Sequence, residues 1–253
     1  MYTNPVNTRN SDGKSRVLLV CEHASNAIPA EYNGLGLSDA EINSHIAWDP
    51  GALAVSNYLS DALDATLIAQ NVSRLVYDCN RPPESEQAMR TTSEIYRIPG
   101  NENLTDAQKQ ARVDTVYTPF RNAIRQTIDQ RDAPVIITIH TFTPIYHGKM
   151  RDVEIGILHD SDTRIADAML AQKTTAYNVQ RNQPYAPEDG VTHTLVDQAI
   201  SRNLANVMIE IRNDLVQTDA TQRAVAKWLA ENIKTALKTT GLGNTDATEV
   251  QAS

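Results

Sequence analysis

Val135-Ile136-Ile137-Thr138-Ile139-His140 is a short, β-branched and almost wholly apolar run that closes on an imidazole. A run this short and this apolar reads as a strand buried on both faces, and such strands belong to parallel sheets covered by helices. Residues 134–140 are therefore predicted to be the central strand. The closing histidine matters as much as the apolar body. In an open α/β sheet, side chains at or just past the carboxyl ends of the strands face one shared crevice.

Outward from this run, five further segments join an apolar body to ionisable ends. They are Val17-Leu18-Leu19-Val20-Cys21-Glu22-His23, Ile46-Ala47-Trp48-Asp49, Ser73-Arg74-Leu75-Val76-Tyr77-Asp78-Cys79-Asn80-Arg81, Val191-Thr192-His193 and Met208-Ile209-Glu210-Ile211-Arg212. Strands are predicted over 16–21, 66–69, 74–77, 152–158, 176–180 and 206–211. Helices are predicted from Ser38, where Ser38 and Glu41 form a capping-box pattern, and over 51–63, 105–130, 161–173, 194–202 and 214–239. Residues 82–103 turn to Pro, Ser, Glu, Arg and Gly with no sustained period, which reads as a long loop and a candidate wall or lid for the crevice. The alternation predicts one three-layer α/β domain over 16–240, with a polar N-terminal arm at 1–15 and a flexible polar tail at 241–253.

A chain of 253 residues is long enough to bury a core of its own. Its formal charge of −8 argues against a nucleic-acid partner, which needs a basic face. A small anionic substrate stays open if the arginines converge locally. The longest apolar stretches are about seven residues, against the ~18–20 that span a bilayer. The opening Met1-Tyr2-Thr3-Asn4-Pro5 has no apolar signal core. The expectation is a cytoplasmic protein with no membrane contact, its association into homo-oligomers left open. Cys21 and Cys79 read as reduced, buried thiols. No G-x-G-x-x-G or P-loop is present, so a nucleotide cofactor has no support.

Histidines 23 and 140 occupy matched strand ends, and neutral imidazole is the commonest zinc ligand. A catalytic zinc takes three protein ligands. Asp49, before the Pro50-Gly51 break, is the best-placed third, with Glu22 and Asn26 as alternatives. Glu210 lies between two isoleucines and shares a strand face with Met208 and Arg212. A carboxylate there is costly to bury unless paired, so it is either the ion-pair partner of Arg212 or a general base tuned by burial. Arg74, Asn80 and Arg81 flank a strand-like run. They suit the fork-like grip of a substrate carboxylate or plain ion pairing with Asp78 or Glu84. His193 is a weaker site candidate; His45, His147 and His159 read as solvent-facing. Cys21 reads as core packing rather than as a nucleophile.

At these residues the chain resembles the N-formylglutamate amidohydrolase family. The motifs are Cys-Glu-His-Ala-Ser-Asn-Ala-Ile-Pro (21–29), Trp48-Asp49-Pro50-Gly51-Ala52, the 73–82 segment, His140-Thr141-Phe142-Thr143-Pro144 and Ile209-Glu210-Ile211-Arg212-Asn213-Asp214, in the family's order over about 16–235. The resemblance implies a three-layer fold with a mixed, mostly parallel central sheet, similar to the zinc-dependent exopeptidases (phosphorylase/hydrolase-like). It also implies zinc-assisted hydrolysis of a small N-acyl amino acid, possible substrates including N-formyl-L-glutamate. One zinc per chain, or another divalent metal, would be held by His23, Asp49 and His140. Glu210 would be the general base, and Arg74, Asn80, Arg81, Arg212 and His193 would bind substrate. Where the deformylases of histidine breakdown carry Pro-His-Ser-Gly and Trp-His, this chain has Glu22-His23-Ala24-Ser25 and Trp48-Asp49. Those departures leave the acyl group and amino acid open. A metallopeptidase or amidase on peptides or cell-wall fragments, and a non-catalytic carboxylate-binding module, are the rival readings.

Overall fold

The computed structural model describes residues 4–243. The strands are β1 (Val6–Arg9), β2 (Val17–Cys21), β3 (Thr66–Gln70), the small hairpin β4 and β5 (Thr92–Ser93, Tyr96–Arg97), β6 (Val135–Phe142), the small hairpin β7 and β8 (Ile145–Tyr146, Lys149–Met150), β9 (Ile155–Leu158), β10 (Val179–Arg181) and β11 (Asn206–Arg212). The α-helices are α1 (Asp39–Ile42), α2 (Ala52–Leu63), α3 (Asp106–Arg112), α4 (Thr118–Asp129), α5 (Arg164–Leu170) and α6 (Asp219–Thr239).

Seven strands form one sheet in the order β1-β3-β2-β6-β11-β9-β10. The inner four run parallel, while β1 is antiparallel to β3 and β9 to β11. The mixed, mostly parallel sheet is the expected one, and the run 135–140 lies at its centre. All eight residues of β6 are buried, as a strand covered on both faces requires.

Alternation divides the core in two. Val17, Leu19, Ile137, Ile139, Val207 and Ile209 face Leu59 of α2, Ile165 of α5 and Leu229 and Ile233 of α6. Leu18, Val20, Ile136 and Met208 face Phe120 and Ile124 of α4 and Leu195. The second face is the one that leads to the site.

Several elements differ from the sequence reading. Residues 74–77 are a buried turn and not a strand. Ser73 caps it, its hydroxyl accepting from the Leu75 N–H at 3.2 Å and its carbonyl from the Val76 N–H at 2.9 Å. Three apolar residues fully out of water, Leu75, Val76 and Tyr77, satisfy a turn as well as a strand, and periodicity over so short a run cannot separate the two. The helix expected over 105–130 is broken by a π-turn at Val113–Tyr117, and that expected over 194–202 by another at Leu195–Ala199. The helix opening at Ser38 is a single turn, with the Ser38–Glu41 capping box in place. Part of the polar arm is the edge strand β1. Residues 244–253 of the expected tail lie outside the described residues.

Candidate active site

Strand register builds the first part of the site. Glu210 of β11 is the partner of His140 in β6, and Val20 of β2 is the partner of Thr138. Two residues further along, Glu22 stands beside His140, its Oε2 3.1 Å from His140 Nε2. Glu22, His140 and Glu210 thus form a row on one face at the carboxyl ends of three adjacent parallel strands. His23 follows directly. Asp49 is delivered by the turn before α2, its N–H bonded to the His23 carbonyl at 3.0 Å. That turn depends on Gly51, which has φ of +88° and would carry a Cβ 2.5 Å from Val216 Cγ2, a place only glycine fits.

The three best ligand candidates converge. His140 Nδ1 lies 3.2 Å from His23 Nδ1 and 3.0 Å from Asp49 Oδ2, and His23 Nδ1 is 3.3 Å from the same oxygen. The far nitrogens are occupied by carboxylates. His23 Nε2 is 2.8 Å from Asp78 Oδ1, and His140 Nε2 faces Glu22, close in distance but off the line of a good hydrogen bond. Protons held at the Nε2 atoms leave two Nδ1 lone pairs and one carboxylate oxygen pointing at a common spot. A proton shared between His140 Nδ1 and Asp49 or a bound cation relieves that convergence, and imidazoles braced from behind by carboxylates are the usual ligands of divalent metals. The buried His23, Asp49 and His140 group can hold a metal ion. Asn26 does not line the cavity, and its amide nitrogen donates to Ile42 O and Asn43 Oδ1. Glu22 stands behind His140.

The charges around this group are set against burial. Burial opposes ionisation of Asp49, but His23, His140 and Arg74 outweigh it and hold the carboxyl far below its usual range. Asp78 is likewise held low against burial, by Arg74, His23 and Arg81. Burial works against the His140 cation, yet Glu22 and Asp49 raise its pKa well above the ordinary value. Glu210 behaves differently. Burial raises it to about 7 against the pull of His140, and its Oε2 has no hydrogen-bond partner.

A cavity of about 190 Å³ opens beside the group, lined in part by His23, Asp49, Arg74, Arg81, His140 and Glu210. It is smaller than the ~300–1,000 Å³ of drug-sized sites, so it suits a small substrate. Arg74 reaches the cavity but bridges Asp49 (3.2 Å) and Asp78 (2.9 Å). Arg81 lines it with one nitrogen on the carbonyls of Asn80 and Gly190. Asn80 also lines it, held in the wall by one bond from its amide nitrogen to Val191 O and one from the Thr194 N–H to its oxygen. Two candidates stand outside the cavity. Arg212 turns to Glu154, Asp214 and the Arg151 carbonyl, and so is not the partner of Glu210. His193 bonds Tyr117 at 2.8 Å behind the wall.

Residues that the sequence reading missed complete the lining. Arg90, from the long loop, donates to Asp78 at 3.1 Å, and burial and Arg74 push its pKa down to about 10. Tyr185 comes from the loop after β10 and Tyr146 from the small hairpin strand β7. His45 is not a lone surface group, since it lines the cavity and pairs with Glu94 at 2.8 Å. The loop 82–103 does supply a wall, through Arg90, Ser93 and Glu94.

Fold and site together define a class, the α/β proteins whose cleft at the carboxyl ends of the strands is equipped for hydrolysis. The family model for N-formylglutamate amidohydrolase matches residues 15–217, and the chain belongs to that family. A gene product of Agrobacterium tumefaciens has a solved structure that is 53% identical, covers 94% of this chain and 96% of its own, and superposes with a TM-score of 0.92. The N-formylglutamate amidohydrolase of Ralstonia eutropha is 17% identical over 94% of this chain and 97% of its own, with a TM-score of 0.60, a likeness of fold. No curated protein matched the chain.

Proposed function

We propose that this protein is a zinc-dependent amidohydrolase that cleaves the amide of a small N-acyl amino acid, with N-formyl-L-glutamate as the first candidate. The observation that carries the reading is the convergence of His23 Nδ1, His140 Nδ1 and Asp49 Oδ2 beside a carboxylate with a pKa near 7. An ion held by these three residues supplies Lewis acidity to the amide carbonyl and to water. Asp78 and Glu22 fix the ring orientations, and Arg74 keeps Asp49 and Asp78 ionised. Glu210, poised near neutrality, takes a proton from the attacking water and gives it to the departing nitrogen. Arg81 and Arg90, on the cavity wall, hold the carboxylate of the amino acid. The small cavity favours this substrate class over peptides and cell-wall fragments.

The test is metal content by plasma mass spectrometry on wild type and His140→Ala, purified without chelator or nickel, beside turnover of N-acyl amino acids and dipeptides. About one zinc per chain in wild type, little in the variant, and hydrolysis of the N-acyl amino acids alone is the expected result. Turnover of dipeptides alone would reassign the enzyme as a peptidase. Absence of metal after zinc is added back would leave a carboxylate-binding module.

A further inference from the structure

Tyr185 lines the cavity shared by Glu210, His140, Asp49 and Arg90, and the role given to the site so far does not use it. Its placement is built into the sheet. In the β9–β11 ladder Gly156 is the partner of Glu210, and a Cβ on Gly156 would lie 1.9 Å from the carbonyl oxygen of Gln183. The missing side chain lets the loop after β10 press its backbone onto the sheet at the strand position next to Glu210. Tyr185 is two residues further along that loop.

Its ring and hydroxyl are both fixed by Arg151. The guanidinium stacks over the rings of Tyr185 (5.0 Å to the centroid), Tyr146 (4.4 Å) and Phe142 (5.5 Å). Its Nη1 donates to the Tyr185 hydroxyl oxygen at 3.2 Å and to the Thr143 carbonyl at 3.2 Å. An oxygen that accepts from a guanidinium keeps its own proton to give. Burial and the charge of Glu210 raise the phenol's pKa, so at neutral pH it is an O–H donor.

We propose that Tyr185 is a further catalytic residue, its hydroxyl donating a hydrogen bond to the oxygen of the scissile carbonyl as that oxygen gains negative charge, with Arg151 as its positioning residue. The proposal rests on the reading of the cleft as an amide-hydrolysing site. A fixed donor aimed at developing charge acts on the transition state more than on the bound substrate.

Tyr185→Phe removes the oxygen and keeps the ring under Arg151. Wild type, Tyr185→Phe, Arg151→Gln and the double variant are compared on the best N-acyl amino acid, with melting temperature recorded for each. Expected for Tyr185→Phe are a kcat lower by about 10²–10³-fold, a KM within about twofold and an unchanged melting temperature. Calorimetry should show a comparable loss of affinity for a phosphonamidate analogue of that substrate. Arg151→Gln should lower kcat in the same direction, and the double variant should be little worse than Tyr185→Phe alone. A raised KM at unchanged kcat, or no change in either, overturns the role of Tyr185 while the amidohydrolase reading stands. A wild type that turns over no N-acyl amino acid overturns both.

Discussion

At the residue scale the site turns on one contrast between carboxylates. Asp49, Asp78 and Glu22 are each faced by cations or imidazoles and are held in the charged form, whereas burial raises Glu210 to about 7. Paired carboxylates serve as ligands and braces; an unpaired one near pH 7 can exchange a proton. Glu210→Gln keeps shape and removes the base. Steady-state kinetics should show kcat lower by about 10²–10⁴-fold, with zinc content and melting temperature retained. Equal loss of metal and activity would instead make Glu210 a ligand. Most of these carboxylates could be read in the sequence, because Glu22 and Glu210 sit in or directly after apolar strands whose period fixes their face. Arg90 and Tyr185 could not, since they lie in loops with no period, and only folding brings them to the cavity.

At the scale of elements, the cavity wall that carries Asn80 is supported from behind by side-chain bonds made at and beside the two π-turns. Arg121 of α4 grips both oxygens of Asp197 at 2.7 Å, and Tyr117 bonds His193. π-turns of this kind cluster at functional sites, and here they set the position of Thr194, whose N–H holds Asn80. The sequence showed helical periodicity through both segments, but a π-turn lasts a single turn, too short a stretch to be separated from an ordinary helix by its period. Burial opposes ionisation of Asp197, but hydrogen bonds and charge from Arg121 lower its pKa below the ordinary value. A lowered folded-state pKa gives stability that is present above the unfolded value of about 3.9 and is lost as pH falls through the folded one. Asp197→Asn should cost about 1–2 kcal/mol at pH 7, or roughly 2–8 °C in melting temperature. The gap to wild type should close as pH falls below about 4. A gap that stays constant down to pH 3 would mean that the pair contributes no net electrostatic stability.

At the scale of the whole molecule, the mixed, mostly parallel sheet with flanking helices and the central place of residues 135–140 followed the sequence closely, since long apolar runs and long amphipathic helices decide them. The fine structure of residues 74–101 did not, because a segment buried without regular hydrogen bonding has no repeat to read. No described helix is long and apolar enough to cross a membrane. The ligand group draws on β2, the turn before α2 and β6, so an ion bound there ties distant parts of the chain together and favours the folded state. Zinc at 100 times its dissociation constant should add about 2.7 kcal/mol, which at ~2–4 °C per kcal/mol for a chain of this size is a rise of roughly 5–11 °C. His140→Ala should show none of it. An equal rise in the variant would place the ion elsewhere.

The row Glu22, His140 and Glu210 has a consequence for the order in which the protein takes shape. His23 and His140 are 117 residues apart in the chain, and Glu210 is carried by the strand on the opposite side of β6 from β2. A chain emerging from the ribosome cannot form the row until residue 210 is free to dock, after most of the sheet's other strands have been synthesised. His23, Asp49 and His140 all precede β11 in the chain, so the group that can hold an ion is complete before the base arrives, and Glu210 is the last member of the row to be added.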